Sequence, residues 1–238
     1  MKTVIKWFIV GVVSSFLVGY AMVLANESVS EKKQETTPKV LYLTFDDGPS
    51  EYSNELLDLL NAHHMKATFF MLGPEMERYP DVVKRMLEEG HGVGVHGVSH
   101  EKDIFYRGVL GPLKEMDQAN DTLQVIAGQR TKLARTPYGS TPYLTKEQKK
   151  ALESHHYLLW DWNVDSRDWS YRNPSRTFNY TLKSMRNNKK EPKVILFHDI
   201  KNVVETMTLF LDWMEDNHYV SEAITPELEP VKLWSKKK

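Results

Sequence analysis

The chain has 238 residues, 41% of them hydrophobic and 26% charged, which is enough apolar material for a buried core and unlike a disordered or collagen-like composition. Its 31 Lys and Arg against 32 Asp and Glu leave a net charge of −1, which argues against a basic nucleic-acid binder. With no cysteine, disulfide scaffolds, Cys-type zinc sites, iron–sulfur clusters and thiol nucleophiles are excluded.

The N-terminus carries Lys2 and Lys6, then nineteen uncharged residues from Trp7 to Ala25. A positive flank, an apolar run and Val23-Leu24-Ala25 before Asn26 fit a cleaved secretory signal. At ~1.5 Å per residue the run also nearly spans a bilayer as an uncleaved anchor. Residues 1–25 are therefore read as signal peptide or signal anchor, and the lysines that stay inside put the rest of the chain outside the cytoplasm. That makes the protein secreted or cell-surface, touching membrane only through this segment. Without Lys2 and Lys6 the charge becomes −3. Residues 26–39 are polar, with Pro38 and no apolar periodicity, and read as a linker. The folded domain is expected over residues 40–238.

Within it, short apolar runs alternate with helical spacing. In chain order the reading is strand Val40 to Phe45, helix Asn54 to Ala62, strand Ala67 to Leu72, helix Pro80 to Glu89 with Gly90 as its C-cap, and strand Gly92 to His96. Helix Gly111 to Ile126, strand Lys132 to Ala134, a helix opened by Thr145 and running to Ser154, strand His156 to Val164 and strand Val194 to Phe197 follow. Alternating βα units imply parallel strands, and no Gly/Ser-rich linker divides them. The expectation is one α/β barrel with functional residues at the C-terminal ends of the strands.

The polar clusters stand at those ends. Asp46 and Asp47 follow the first strand, held by a Gly48-Pro49 turn; two adjacent carboxylates there need a cation or a guanidinium among them, unless the segment is a solvated turn. His96 and His100 stand four apart after a strand; Gly97 occupies the position of the glutamate of an H-E-x-x-H protease motif, so that reading fails. Asp47 with these histidines would complete a three-ligand catalytic zinc site with one position open to water. Arg135 precedes a proline-fixed turn, offering a planar fork to a carboxylate while the turn presents a backbone N–H to an oxyanion. Trp160 to Trp169 places three acidic groups among three tryptophans, whose faces suit sugars as well as a core. A last apolar strand ends in His198-Asp199, which suits a general acid or base. His63, His64, His155 and His156 fall at helix ends, and His91 faces the end away from the site.

In this order the clusters T-F-D-D-G-P (Thr44 to Pro49), H-x-x-x-H (His96 to His100), R-x-P-Y-G (Arg135 to Gly139), D-x-x-D-W (Asp165 to Trp169) and L-x-H (Leu196 to His198) resemble the polysaccharide deacetylase family. This is the NodB homology domain of carbohydrate esterase family 4, and the resemblance covers roughly residues 40 to 220. It implies a distorted (β/α) barrel of about seven parallel strands and a metal-dependent hydrolase of N-acetyl groups. The implied substrate is an N-acetylglucosamine polysaccharide, peptidoglycan first and chitin-type oligomers next. The alternatives are an O-acetyl xylan-type esterase and a catalytically weak glycan-binding wall protein on the same fold. By the same resemblance Asp47, His96 and His100 hold a divalent metal, zinc first, with cobalt, nickel or manganese as substitutes. Asp46 is the general base and His198 the general acid. Arg135 orients Asp46, Asp168 pairs with His198, the Tyr138 backbone N–H serves the oxyanion, and Trp169 with Leu196 lines the acetyl-methyl pocket. A monomer is expected. Gly97 departs from the family's usual Ser or Thr after the first metal histidine, and the lost hydroxyl is expected to loosen the metal site.

Overall fold

The structure, a computed structural model, describes residues 37–233. The expected signal segment, most of the linker and the last five residues of the basic tail lie outside the described residues. Lys39, at the end of the expected linker, already belongs to the first strand.

Eight strands form one sheet: β1 (Lys39–Asp46), β2 (Ala67–Met71), β3 (Gly92–Val95), β4 (Leu133–Ala134), β5 (Leu158–Leu159), β6 (Val164–Asp165), β7 (Lys193–His198) and β8 (Tyr219–Ser221). Seven of them run in the order β5-β4-β3-β2-β1-β7-β6, β8 pairs the start of β1, and the ladders are parallel. This is the expected distorted α/β barrel, curled but open between β5 and β6. Between the strands lie α1 (Ser53–Ala62), α2 (Gly73–Arg78), α3 (Pro80–Glu88), α4 (Lys102–Phe105), α5 (Gly111–Ala127), α6 (Lys146–Ser154), α7 (Asp168–Tyr171), α8 (Pro174–Asn187) and α9 (Lys201–Asp216).

Local chemistry explains the boundaries. Gly90 and Gly128 take φ of +77° and +71° just past α3 and α5, where a left-handed residue closes a helix. Thr145 and Gln148 form a reciprocal capping box at the start of α6. Asn173 caps α8 by accepting the Arg176 N–H at 2.9 Å, with Pro174 at the first helical position.

Successive strand residues point to opposite faces, and this divides the core in two. Leu41, Leu43 and Phe45 of β1, Phe69 and Met71 of β2, and Ile195 and Phe197 of β7 pack against the helices. Tyr42, Phe70, Trp160, Val194 and Ile224 form a second cluster inside the curl. The inner face of β1 continues upward as Thr44 and Asp46, both buried. The interior is thus apolar at its base and polar at the C-terminal end of the strands.

One expected element is corrected. His156 to Val164 is not a single strand: Leu158 and Leu159 pair β4, whereas Val164 and Asp165 pair β7, at opposite ends of the sheet. The intervening N–H groups go to three separate segments: Trp160 donates to Ala134 O (2.8 Å), Asp161 to Val231 O (2.8 Å) and Asn163 to Val194 O (3.1 Å). The apolar run therefore crosses the open side of the barrel, where residues 231–233 bond it at Asp161.

Candidate active site

Register alone brings the first groups together. Asp46 lies level with Phe70 of β2 and His198 of β7, Val95 pairs Ala134, and Asp165 lies level with Leu196. The residues that follow these strand ends converge on a cleft of about 590 Å³. Of the ten residues expected in the site, Asp46, Asp47, His96, His100, Tyr138, Trp169, Leu196 and His198 line it. Arg135 and Asp168 are fully buried behind it and hold two of the others.

Asp47 has φ +72°, a left-handed turn that presents its carboxylate to the histidines. Its Oδ1 lies 3.4 Å from His96 Nε2 and 3.3 Å from His100 Nε2. The same oxygen is buried and has no hydrogen-bond partner. His96 Nδ1 lies 2.7 Å from the Arg135 carbonyl, which fixes the proton on that nitrogen and turns the Nε2 lone pair toward Asp47. One oxygen and two imidazole nitrogens, all within 4.8 Å of one another, suit a divalent cation with nitrogen and oxygen ligands. Burial alone would raise the Asp47 carboxyl, but the close approach of His96 and the fields of His96, His198 and His100 hold it far below the ordinary carboxylate range. Burial works against the His96 cation, yet Asp46 and Asp47 raise its pKa; in His100 burial prevails and lowers it.

Arg135 supports the neighbouring carboxylate. Its Nη1 donates to Asp46 Oδ1 (2.8 Å) and Thr44 Oγ1 (2.8 Å), Nε donates to Trp160 O (3.1 Å), and Nη2 to Asp161 O (3.1 Å). The guanidinium stands 4.2 Å from the centre of the Phe70 ring. With four of its five N–H donors engaged the fork is fixed in place, so Asp46 is held with Oδ2 toward His96 Nε2 at 3.9 Å.

Across the cleft, Asp168 Oδ1 meets His198 Nδ1 at 2.8 Å, and Asp168 Oδ2 accepts the His198 backbone N–H at 2.7 Å. This leaves Nε2 for the cleft. Burial would depress the imidazole, but the bond and charge of Asp168, with Asp46 and Asp47, push it up to about 9. Tyr138, at φ +62°, exposes half its ring, donates its hydroxyl to His100 O (2.9 Å), and has a backbone N–H without a partner among the described residues. Trp169 is likewise half exposed beside buried Leu196.

Two carboxylates of the sequence clusters brace the site and do not line the cleft. Asp161 accepts the Ser140 N–H (2.9 Å) and the Leu233 N–H (2.9 Å), tying the turn after Arg135 to the C-terminal segment. Asp199 bonds Ser50 at 2.8 Å and Ser53, and burial raises its carboxyl. It braces the turn that carries Asp47; its position next to His198 was the available signal. His91 lies buried away from the cleft and His63 stands at a helix end, as their positions in the sequence suggested; His63 also bonds Glu215 (2.9 Å).

The sequence profile of the polysaccharide deacetylase family matches residues 33–157. YheN of Bacillus subtilis is 42% identical over 205 residues, covering 84% of this chain and 72% of YheN. A peptidoglycan-N-acetylglucosamine deacetylase of Bacillus cereus is 35% identical over 224 residues, covering 89% of this chain and 82% of that protein. The crystal structure of the polysaccharide deacetylase Bc1974 from Bacillus cereus superposes with a TM-score of 0.76 at 36% identity, covering 83% of this chain and 98% of that one.

Proposed function

The chain belongs to the polysaccharide deacetylase family, and on that premise we propose that it hydrolyses the N-acetyl groups of N-acetylglucosamine residues in peptidoglycan. The observation that carries the reading is the facing of two sets across one cleft: Asp47, His96 and His100 with Asp46 on one side, and His198 held by Asp168 on the other. The likeness to a peptidoglycan deacetylase over most of both chains supports the choice of glycan.

A divalent cation, zinc by the nitrogen and oxygen character of its ligands, would be held by Asp47, His96 and His100 and would supply Lewis acidity to the acetyl carbonyl and to water. Asp46, pinned by Arg135, takes the proton of the attacking water. The free N–H of Tyr138 donates to the oxygen that becomes negative as the carbonyl turns tetrahedral, so it acts on charge that exists only in the transition state. His198, kept cationic by Asp168, gives its proton to the amine nitrogen as the C–N bond breaks. The products are acetate and a glucosamine residue. Trp169 and Leu196 shape the space for the acetyl methyl. Lys2, Lys6 and the apolar run Trp7 to Ala25 support action outside the cytoplasm, secreted or anchored.

The test is acetate release from peptidoglycan and from N-acetylglucosamine oligomers by the metal-stripped chain, before and after zinc is restored, beside His198→Ala. Zinc-dependent release that disappears in the variant is the expected result. A folded protein that binds zinc but releases no acetate from either substrate would overturn it.

A further inference from the structure

Gly97 removes the hydroxyl that the family usually places after the first metal histidine, yet the loop it opens is not left unheld. We propose that Glu115, on α5, is the positioning residue of the metal loop and sets His100 against His96; the proposal rests on the metal-site reading above. Glu115 Oε2 accepts the N–H groups of both Val98 and Ser99 at 2.8 Å. Gly97 has φ +96°, which turns these two successive amides inward to make a concavity for an anion. Its carbonyl is fixed from the other side by the Gly73 N–H at 2.9 Å.

The carboxylate is itself unusual for its position. Glu115 is 8% exposed on the helix face that buries Leu113 and Met116, and it makes no ion pair among the described residues. A carboxylate there raises the free energy unless strong donors meet it, and the two loop amides are those donors. The two histidines differ in how much they need this support. His96 is anchored by its backbone N–H to Met71 O (2.8 Å) and by Nδ1 to Arg135 O (2.7 Å). The His100 ring has no hydrogen bond besides its approach to Asp47; its place is set by the Tyr138 hydroxyl on its carbonyl (2.9 Å), by packing on the Tyr138 ring, and by the course of Gly97, Val98 and Ser99. A buried carboxylate on a helix thus holds the backbone between the two histidines.

Zinc affinity of the full chain, read by competition with a chromophoric chelator under conditions where each variant is folded by circular dichroism, tests this. Glu115→Ala should bind zinc about 10- to 100-fold more weakly. Glu115→Gln, whose side-chain oxygen can accept the same two donors, should stay within about fivefold of the parent. Asn120→Ala serves as the control, because it breaks the bonds of the same helix to Thr131 and Tyr157. It should lower the unfolding midpoint and leave zinc affinity unchanged. If Glu115→Ala does not fold, Glu115→Asp, one methylene shorter, carries the same expected loss. Zinc binding by Glu115→Ala or Glu115→Asp as tight as the parent's would overturn the proposal, whereas failure of the parent to bind zinc would instead remove the metal-site reading beneath it.

Discussion

Gly97→Ser, which supplies the hydroxyl that the family resemblance implies at this position, is expected to damage this protein. Gly97 sits at φ +96°, where an L side chain costs about 1–2 kcal/mol. A Cβ there would lie 2.8 Å from Phe105 Cε2, 3.1 Å from Cδ2 and 3.3 Å from Glu115 Oε2. Phe105 is fully buried, so the ring cannot swing into solvent, and forcing it aside is an overpacking cost of about 1–3 kcal/mol. The sum, about 2–5 kcal/mol, is a large part of the 5–15 kcal/mol that holds a typical domain together. Urea unfolding of the metal-free protein measures it directly, and zinc titration of the folded variant should show weaker binding because relief of the clash moves Val98 and Ser99 off Glu115. A loss below about 1 kcal/mol with zinc bound as tightly as in the parent would refute the reasoning, since neither the backbone strain nor the contact with Phe105 would then be real.

Two further outcomes are expected. Asp168→Asn keeps the shape beside His198 but cannot hold an imidazolium, so kcat should fall about 10²- to 10⁴-fold while zinc affinity stays unchanged; kcat within threefold of the parent would remove Asp168 from the acid's support. His91 supplies a pH dependence of stability. Burial and Lys66 depress its imidazole from 6.5 to about 4 against the pull of Glu89, while its Nδ1 accepts the Ala67 N–H at 3.1 Å. The folded state therefore binds this proton less readily than the unfolded chain. Its contribution is whole above pH 6.5 and is lost as pH falls toward 4, at up to about 1.4 kcal/mol per pH unit. The parent should lose stability faster than His91→Gln over that window in urea titrations, and parallel curves would contradict it.

The strand ends and their chemistry were legible because parallel strands buried on both faces read as unbroken apolar runs, and the polar residues that follow them are local in sequence. Asp46 and Asp47 after β1, His96 after β3, Arg135 after β4 and His198 at the end of β7 could be named from that pattern, and register brought them to one end of the sheet. Helices with strong local stops, such as α3 before Gly90 and α6 after Thr145, were equally readable. What tertiary structure alone decided depends on partners far away in the chain. Periodicity cannot distinguish one strand from two short ones, so the split of residues 156–164 waited on Ala134, Val194 and Val231 to claim separate N–H groups. An acidic residue in a helix reads as solvent-facing, so Glu115 gave no signal until Val98 and Ser99 arrived to meet it. The loop after His96 is a like case: the glycine at position 97 is visible in one residue, while the carboxylate that meets Val98 and Ser99 lies on another element. Side-chain type and spacing record what a segment can do by itself; which buried polar group finds its partner is settled only when distant elements close around it.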